Sequence, residues 1–196
     1  MIVVDVEASG VDPQKNSLLS IGAVEFERPE NTFYAECQVW KGAHIEPAAL
    51  VVNGFSKEAA TDPNKKTDRE IIAEFLAWAK ECNERTLVGQ NPSFDRDFLM
   101  QTSHRYHIDW PFAQRTVDLH SIGYFHLHQT GKAIPEKNGH SDLSLDAILI
   151  YVGIPVEPKP HNGLTGALLE AEALSRLLNN KSLFDQWQKY PIPWLK

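Results

Sequence analysis

A chain of 196 residues with 42% hydrophobic content suits one domain with a sizeable core. Its formal net charge of −7 argues against a general nucleic-acid coat protein, though not against an enzyme with a small basic rim beside its site. Cys37 and Cys82 are too few and too far apart for a zinc ribbon or a disulfide framework, and no leader-like or membrane-length apolar run precedes the first strand, so a cytoplasmic setting is expected.

Residues 2–10 read I-V-V-D-V-E-A-S-G, an apolar run carrying two carboxylates one residue apart. A half-buried strand sends alternate side chains to one face, so Asp5 and Glu7 emerge side by side. Like charges on a strand otherwise built from Ile2, Val3, Val4 and Val6 call for a cation between them, which predicts a hard divalent metal. A surface strand with two solvated acids is the alternative at this point. Residues 18–27 and 33–40 are two further strands, with a polar turn at 28–31, giving an antiparallel meander. Residues 46–60 read as short helical turns broken at Asn53-Gly54, and 61–67 as a polar connector.

From Asp68, the spacing of Ile71, Ile72, Phe75, Leu76 and Ala79 predicts a helix to about Lys80, with Thr67 as its cap and Glu70 completing a capping box. Residues 86–90 form a short buried strand. Asn91-Pro92 then opens a helix running to about His107, with asparagine as cap, proline at the first helical position and Asp95 in the first turn. Residues 115–119 offer another strand, 131–139 a loop, and 144–152 a helix closed by Gly153. A last helix is expected from about Thr165 to Leu178, with His161 just before it. Strands followed by alternating helix and strand describe an α/β or α+β sheet with helices on its faces.

D-V-E-A-S-G at Asp5, N-P-S-F-D at Asp95 and H-N-G-L-T-G-A at His161 resemble, in order and separation, the three exonuclease motifs of the DEDDh family of 3′ to 5′ exonucleases. The S-I-G-A-V strand and the V-N-G-F segment are similar too, so the resemblance spans residues 2–178. It implies an α/β (α+β mixed) fold of ribonuclease H-like type, a five-stranded mixed sheet flanked by helices. The exonuclease domain would cover residues 1–180, with 181–196 as a C-terminal tail. The activity implied is metal-dependent hydrolysis of phosphodiester bonds at single-stranded 3′ ends of DNA or RNA, using two Mg²⁺ or Mn²⁺ ions about 4 Å apart. On this resemblance Asp5 is the ligand shared by both ions, Glu7 a ligand of the nucleophile-side ion, Asp95 a ligand of the other, and His161 the general base. Ala8, Asn53, Gly54, Phe55 and Asn91 fall on the substrate side. Phe55 would stack on the terminal base, with a buried turn residue as the alternative.

Gly166 stands where the family carries its fourth carboxylate, five residues after the histidine. A site one ligand short is expected to bind the nucleophile-side ion weakly and to have impaired activity. The alternative is a catalytically inactive protein that binds nucleic-acid ends or a partner. Nothing in the local sequence explains a glycine in the opening turn of a helix. Glu170, one turn on, is the weakest account, because a turn displaces the side chain's base by about 6 Å. Ala8, where the family favours threonine, is a milder departure. His120, His126 and His128 read as helix or surface residues rather than a zinc site. Trp187, Tyr190 and Trp194 read as a tail packing on its own domain, with a partner surface as the alternative. No membrane association is expected, and the resemblance leaves a homodimer open.

Overall fold

The computed structural model describes residues 1–195. Its centre is β1 (Ile2–Ala8), which pairs antiparallel with β2 (Leu18–Glu25) on one side and parallel with β4 (Leu87–Gly89) on the other. Antiparallel β3 (Arg28–Glu36) and parallel β5 (Thr116–Asp118) extend the sheet to the order β3-β2-β1-β4-β5. The mixed five-stranded sheet expected from the resemblance is therefore present. A minimal hairpin, β6 (Glu136–Lys137) with β7 (His140–Ser141), interrupts the loop at 131–139.

Alternation along β1 decides which residues reach which layer. Ile2, Val4, Val6 and Ala8 join a core with Ile71, Ile72 and Phe75 of α3 (Asp68–Lys80) and with Phe98 and Leu99 of α4 (Ser93–Arg105). Val3 instead joins Val24 and Val88 beneath α6 (Leu145–Val152) and α7 (Gly163–Asn179). Asp5 and Glu7 share the parity of Val3, so the strand delivers both carboxylates to the α7 side. There α7 rests on bare backbone. A Cβ on Gly22 would overlap the carbonyl carbon of Gly163, and one on Gly163 would stand 2.7 Å from the Asp5 carbonyl oxygen. Only glycine permits that approach.

Several local expectations hold. Thr67 and Glu70 form the capping box of α3, Ser144 caps α6, and Gly153 ends α6 in the left-handed region at φ 85°. Gly54, at φ 70°, ends α1 (Pro47–Asn53) ahead of α2 (Lys57–Ala60).

Others need correcting. Residues 28–31 are not a turn: β3 starts at Arg28, which pairs with Glu25, so the β2–β3 link is shorter than expected. Asn91 does not cap α4. It adopts φ 57°, and the helix proper begins at Ser93, whose hydroxyl donates to Asn91 Oδ1 (2.9 Å). Helix α7 starts at Gly163, two residues early, because the Asn162 side chain accepts from the Thr165 amide. The histidine segment forms a full helix, α5 (Leu119–Gln129), in which His126 Nδ1 lies 2.6 Å from the Tyr151 hydroxyl and His120 Nε2 lies 3.0 Å from Ser141 Oγ.

The far end of α7 is tied to the residues that follow it. The Arg176 guanidinium reaches Glu172 Oε1 (2.6 Å), the Val152 carbonyl (3.1 Å) and the Trp187 carbonyl (2.8 Å). Glu172 also accepts from the amides of Leu183 and Phe184. Trp187, Tyr190 and Trp194 lie against the α5–α6–α7 core, and Trp194 donates to Asn180 Oδ1. No helix among the described residues is long and apolar enough to cross a membrane.

Candidate active site

The carboxyl end of β1, the first turn of α4 and the start of α7 meet at one place. Asp95 is buried, and its Oδ1 accepts the Val6 amide at 2.9 Å, which fixes it beside the strand between Asp5 and Glu7. His161, in the loop leading into α7, is held by its own amide donating to the Val52 carbonyl (3.2 Å), and its side chain is 36% exposed. The sequence-derived set of Asp5, Glu7, Asp95 and His161 is thus gathered at one corner of the sheet.

Gly166 has a local explanation after all. A Cβ built there would run into Asp5 Oδ2 and lie 2.9 Å from its Cγ, so the Asp5 carboxylate occupies the space a side chain at 166 would need. The corner is nevertheless not short of carboxylates. Glu170 is 4% exposed and its Oε1 accepts the Gln90 amide (3.1 Å). Axial displacement alone had argued against Glu170. Helical side chains tilt toward the N-terminus, and glutamate is one methylene longer than aspartate, so the turn is partly recovered. Glu157 is a fifth carboxylate, 7% exposed, with Oε2 3.4 Å from His161 Nδ1. Oxygen ligand atoms of Glu7 and Glu157 and a ring nitrogen of His161 all lie within 4.8 Å of one another.

Charge compensation is missing. Among the described residues no lysine or arginine pairs with Asp5, Glu7, Asp95, Glu157 or Glu170. Glu157 Oε1 and Glu170 Oε2 are buried without a hydrogen-bond partner. Burial, then Glu157, then Asp95 push the Glu7 carboxyl up to about 7. Asp95 is likewise pushed up to about 7 by burial, against the Val6 amide bond that opposes it. Asp5 is raised well above the usual carboxylate range by burial and then by Glu170, and Glu170 by burial and then by Asp95. A cluster held this way favours either protons or multivalent cations.

Beside it opens a cleft of about 280 Å³ lined by Ser20, Tyr34, Asn53, Gly54, Phe55, Lys65 and His161. Asn53 does not face the cleft freely: its buried side chain donates to the Ala8 carbonyl (2.8 Å), clamping α1 to the end of β1. Lys65 Nζ sits 4.8 Å from the Phe55 ring centroid and 2.6 Å from Glu36 Oε2. Ala8 is buried and, with Glu7, Val11 and Phe94, lines a neighbouring depression. Asn91 lies on a third, with Phe94 and Asp97.

An exonuclease family model, that of the RNase T type, matches residues 2–174. The chain belongs to the exonuclease family. This exonuclease chain is 27% identical over 212 aligned residues to ribonuclease T of Yersinia pseudotuberculosis, covering 98% of this chain and 89% of that protein. It is 28% identical over 152 residues to ribonuclease T of Escherichia coli K12, covering 66% of each. Among solved structures, the nuclease domain of 3′hExo, a DEDDh family member bound to rAMP, superposes with a TM-score of 0.69 at 15% identity over 93% of both chains. E. coli exonuclease I in complex with a dA16 oligonucleotide gives 0.71 at 18% identity, over 96% of this chain and 42% of that one. These likenesses show the ribonuclease H-like fold, which the chain shares with DEDDh exonucleases.

Sequence reasoning missed two parts of the exonuclease site. Glu157 stands in a loop containing Pro158 and Pro160, without periodicity to orient it; a carboxylate four residues ahead of a motif histidine was the only cue. Lys65 lies in the polar connector and gave no signal.

Proposed function

We propose that the chain is a metal-dependent 3′ to 5′ exonuclease that hydrolyses phosphodiester bonds at single-stranded 3′ ends of DNA or RNA. The observation that carries this reading is the set of buried carboxylates at the end of β1, uncompensated by any lysine or arginine among the described residues and joined by His161. Hard oxygen donors and orphaned buried oxygens fit Mg²⁺ or Mn²⁺, held by Asp5, Glu7 and Asp95. When bound, such ions supply a nucleophilic water and stabilise the leaving 3′ oxygen. The ribonucleases T and the oligonucleotide-bound exonuclease I support the substrate class.

The remaining work falls to the chain's own groups. The 3′-terminal nucleotide enters the cleft between Tyr34 and Phe55, where the Phe55 ring stacks on its base and Lys65 offers a cation to the strand. Gly54, at φ 70°, lets the end of α1 pack closely against Pro160 at the cleft wall. His161, partly exposed at the mouth of the carboxylate cluster, takes the proton from the attacking water. Residues 1–180 form the catalytic unit in this reading, and residues 181–195 serve as its packing tail, the last residue of the expected tail lying outside the described residues.

Gly166 favours one other reading, a protein that binds 3′ ends without cutting them. Incubating 5′-labelled and 3′-labelled oligonucleotides with Mg²⁺ separates the two. Stepwise shortening of the 5′-labelled strand with early release of the 3′ label is the expected result. Retention of the full-length strand in a stable complex would leave the end-binding reading.

A further inference from the structure

Taking the exonuclease reading as its basis, we propose that Glu157, supplied by the loop before α7, is the fourth carboxylate ligand of this site and stands in for the one absent at Gly166. Three observations meet there. The space beside Gly166 is filled by the Asp5 carboxylate, so no ligand comes from that helical position. Glu157 is 7% exposed, its Oε1 has no hydrogen-bond partner, and its only charged partner among the described residues is His161. Oxygens of Glu7 and Glu157 and a nitrogen of His161 fall within 4.8 Å of one another. Carboxylate oxygens around an ion bound at about 2.1 Å lie no more than about 4.2 Å apart, so a shift of at most roughly half an ångström brings Glu7 and Glu157 onto one ion, with His161 beside it as the base.

Glu170, the other surplus carboxylate, serves a different place. One of its oxygens is committed to the Gln90 amide, and it lies outside the close grouping of Glu7, Glu157 and His161. Glu157 therefore stands on the Glu7–His161 side, where water is activated in the proposed reaction, while Glu170 is anchored at the end of β4 through Gln90.

Manganese binding tests this without nucleic acid. Free Mn²⁺ is followed by electron paramagnetic resonance while it is titrated into the wild type, Glu157→Gln, Glu157→Asp and Glu170→Gln, with each variant's metal-free melting curve recorded. Losing a residue that merely supports a ligand costs roughly 10- to 100-fold in metal affinity, so Glu157→Gln should lose at least that much or bind one ion fewer. Glu157→Asp keeps the charge but draws it back by a methylene; it should show the same direction of loss, and it decides the matter if the glutamine variant folds poorly. Wild-type Mn²⁺ binding by both Glu157 variants overturns the proposal. If binding is unchanged but the pH profile of cleavage is displaced, Glu157 is a positioning residue for His161 and the ligand role fails. A wild type that binds Mn²⁺ through Glu157 yet cuts nothing would sink the exonuclease reading while leaving this one standing.

Discussion

Glu170 and Glu172 lie two residues apart on α7, each no more than 4% exposed, and they live in opposite electrostatic worlds. Glu172 is fully engaged: Arg176 at 2.6 Å, the Ser182 hydroxyl at 2.7 Å and two backbone amides satisfy both its oxygens. Glu170 has one amide and otherwise faces Asp5 and Asp95, with Oε2 unpartnered. Folding can account for the first arrangement by itself. The second is a cost that only a proton or a cation removes, and such costs mark functional sites. One helix thus fastens the structure at one end and completes a charged site at the other.

Removing one partner of the fastened pair should have the largest effect. Arg176→Met leaves Glu172 buried and uncompensated, and a loss of about 3 to 5 kcal/mol is expected in urea melts, whereas Glu170→Gln should leave metal-free stability unchanged or raised. A loss of similar size in both variants would erase the contrast.

Next comes pH. Glu7, raised from 4.5 to about 7, keeps its proton in the folded chain where the unfolded chain has lost it, so its contribution is full below about pH 4.5 and disappears as pH climbs through 7. Asp95 acts in the same direction. Metal-free protein should lose on the order of 3 kcal/mol between pH 5 and 8, about 6 to 12 °C in Tm, and millimolar Mg²⁺ should restore much of it at pH 8. A flat metal-free profile would place these carboxylates in a more solvated setting than the structure gives them.

Phe55→Ala tests the cleft rather than the charges. Loss of a stacking ring should weaken single-strand binding by about 1 to 3 kcal/mol in a metal-supplemented filter assay, with the melting curve little changed. A global fall in stability would return Phe55 to the role of a buried turn residue. The smallest stability effect belongs to Gly166→Ala, where up to about 1 kcal/mol of helix propensity is offset by pushing the Asp5 carboxylate aside. Stability should change by less than about 1 kcal/mol while Mg²⁺ affinity falls, as read by calorimetry.

The parts of this arrangement legible in the sequence were those with local causes. Thr67 and Glu70, or Ser144 and Gly153, satisfy helix ends through neighbours in the chain, so their pattern fixes the element. The parity of Asp5 and Glu7 with Val3 follows from a two-residue period. The start of β3 was not legible, because as an edge strand it alternates between exposed and half-buried residues and shows no apolar stripe until Phe33. The left-handed turn at Asn91 was hidden by a dipeptide that equally suits a cap. Glu170 was visible one turn after Gly166 but discounted on axial distance, and Glu157 stands in a loop whose tertiary placement its spacing to His161 does not settle.

The contact of Gly22 with Gly163, and of Gly163 with the Asp5 carbonyl, joins β1, β2 and α7 without intervening side chains, so backbone packs directly on backbone where the three elements meet. Across the cleft, α1 and α2 are tied by the Asn53 side chain on the Ala8 carbonyl, the His161 amide on the Val52 carbonyl, the Glu46 amide on the Ser9 carbonyl and the Val39 amide on the Ala60 carbonyl, with Leu50 and Ala60 packed on Leu19. On the proposed reading the carboxylates thus sit on a seat of backbone packed against backbone, while residues 47–60 face them across the cleft through side-chain and amide ties.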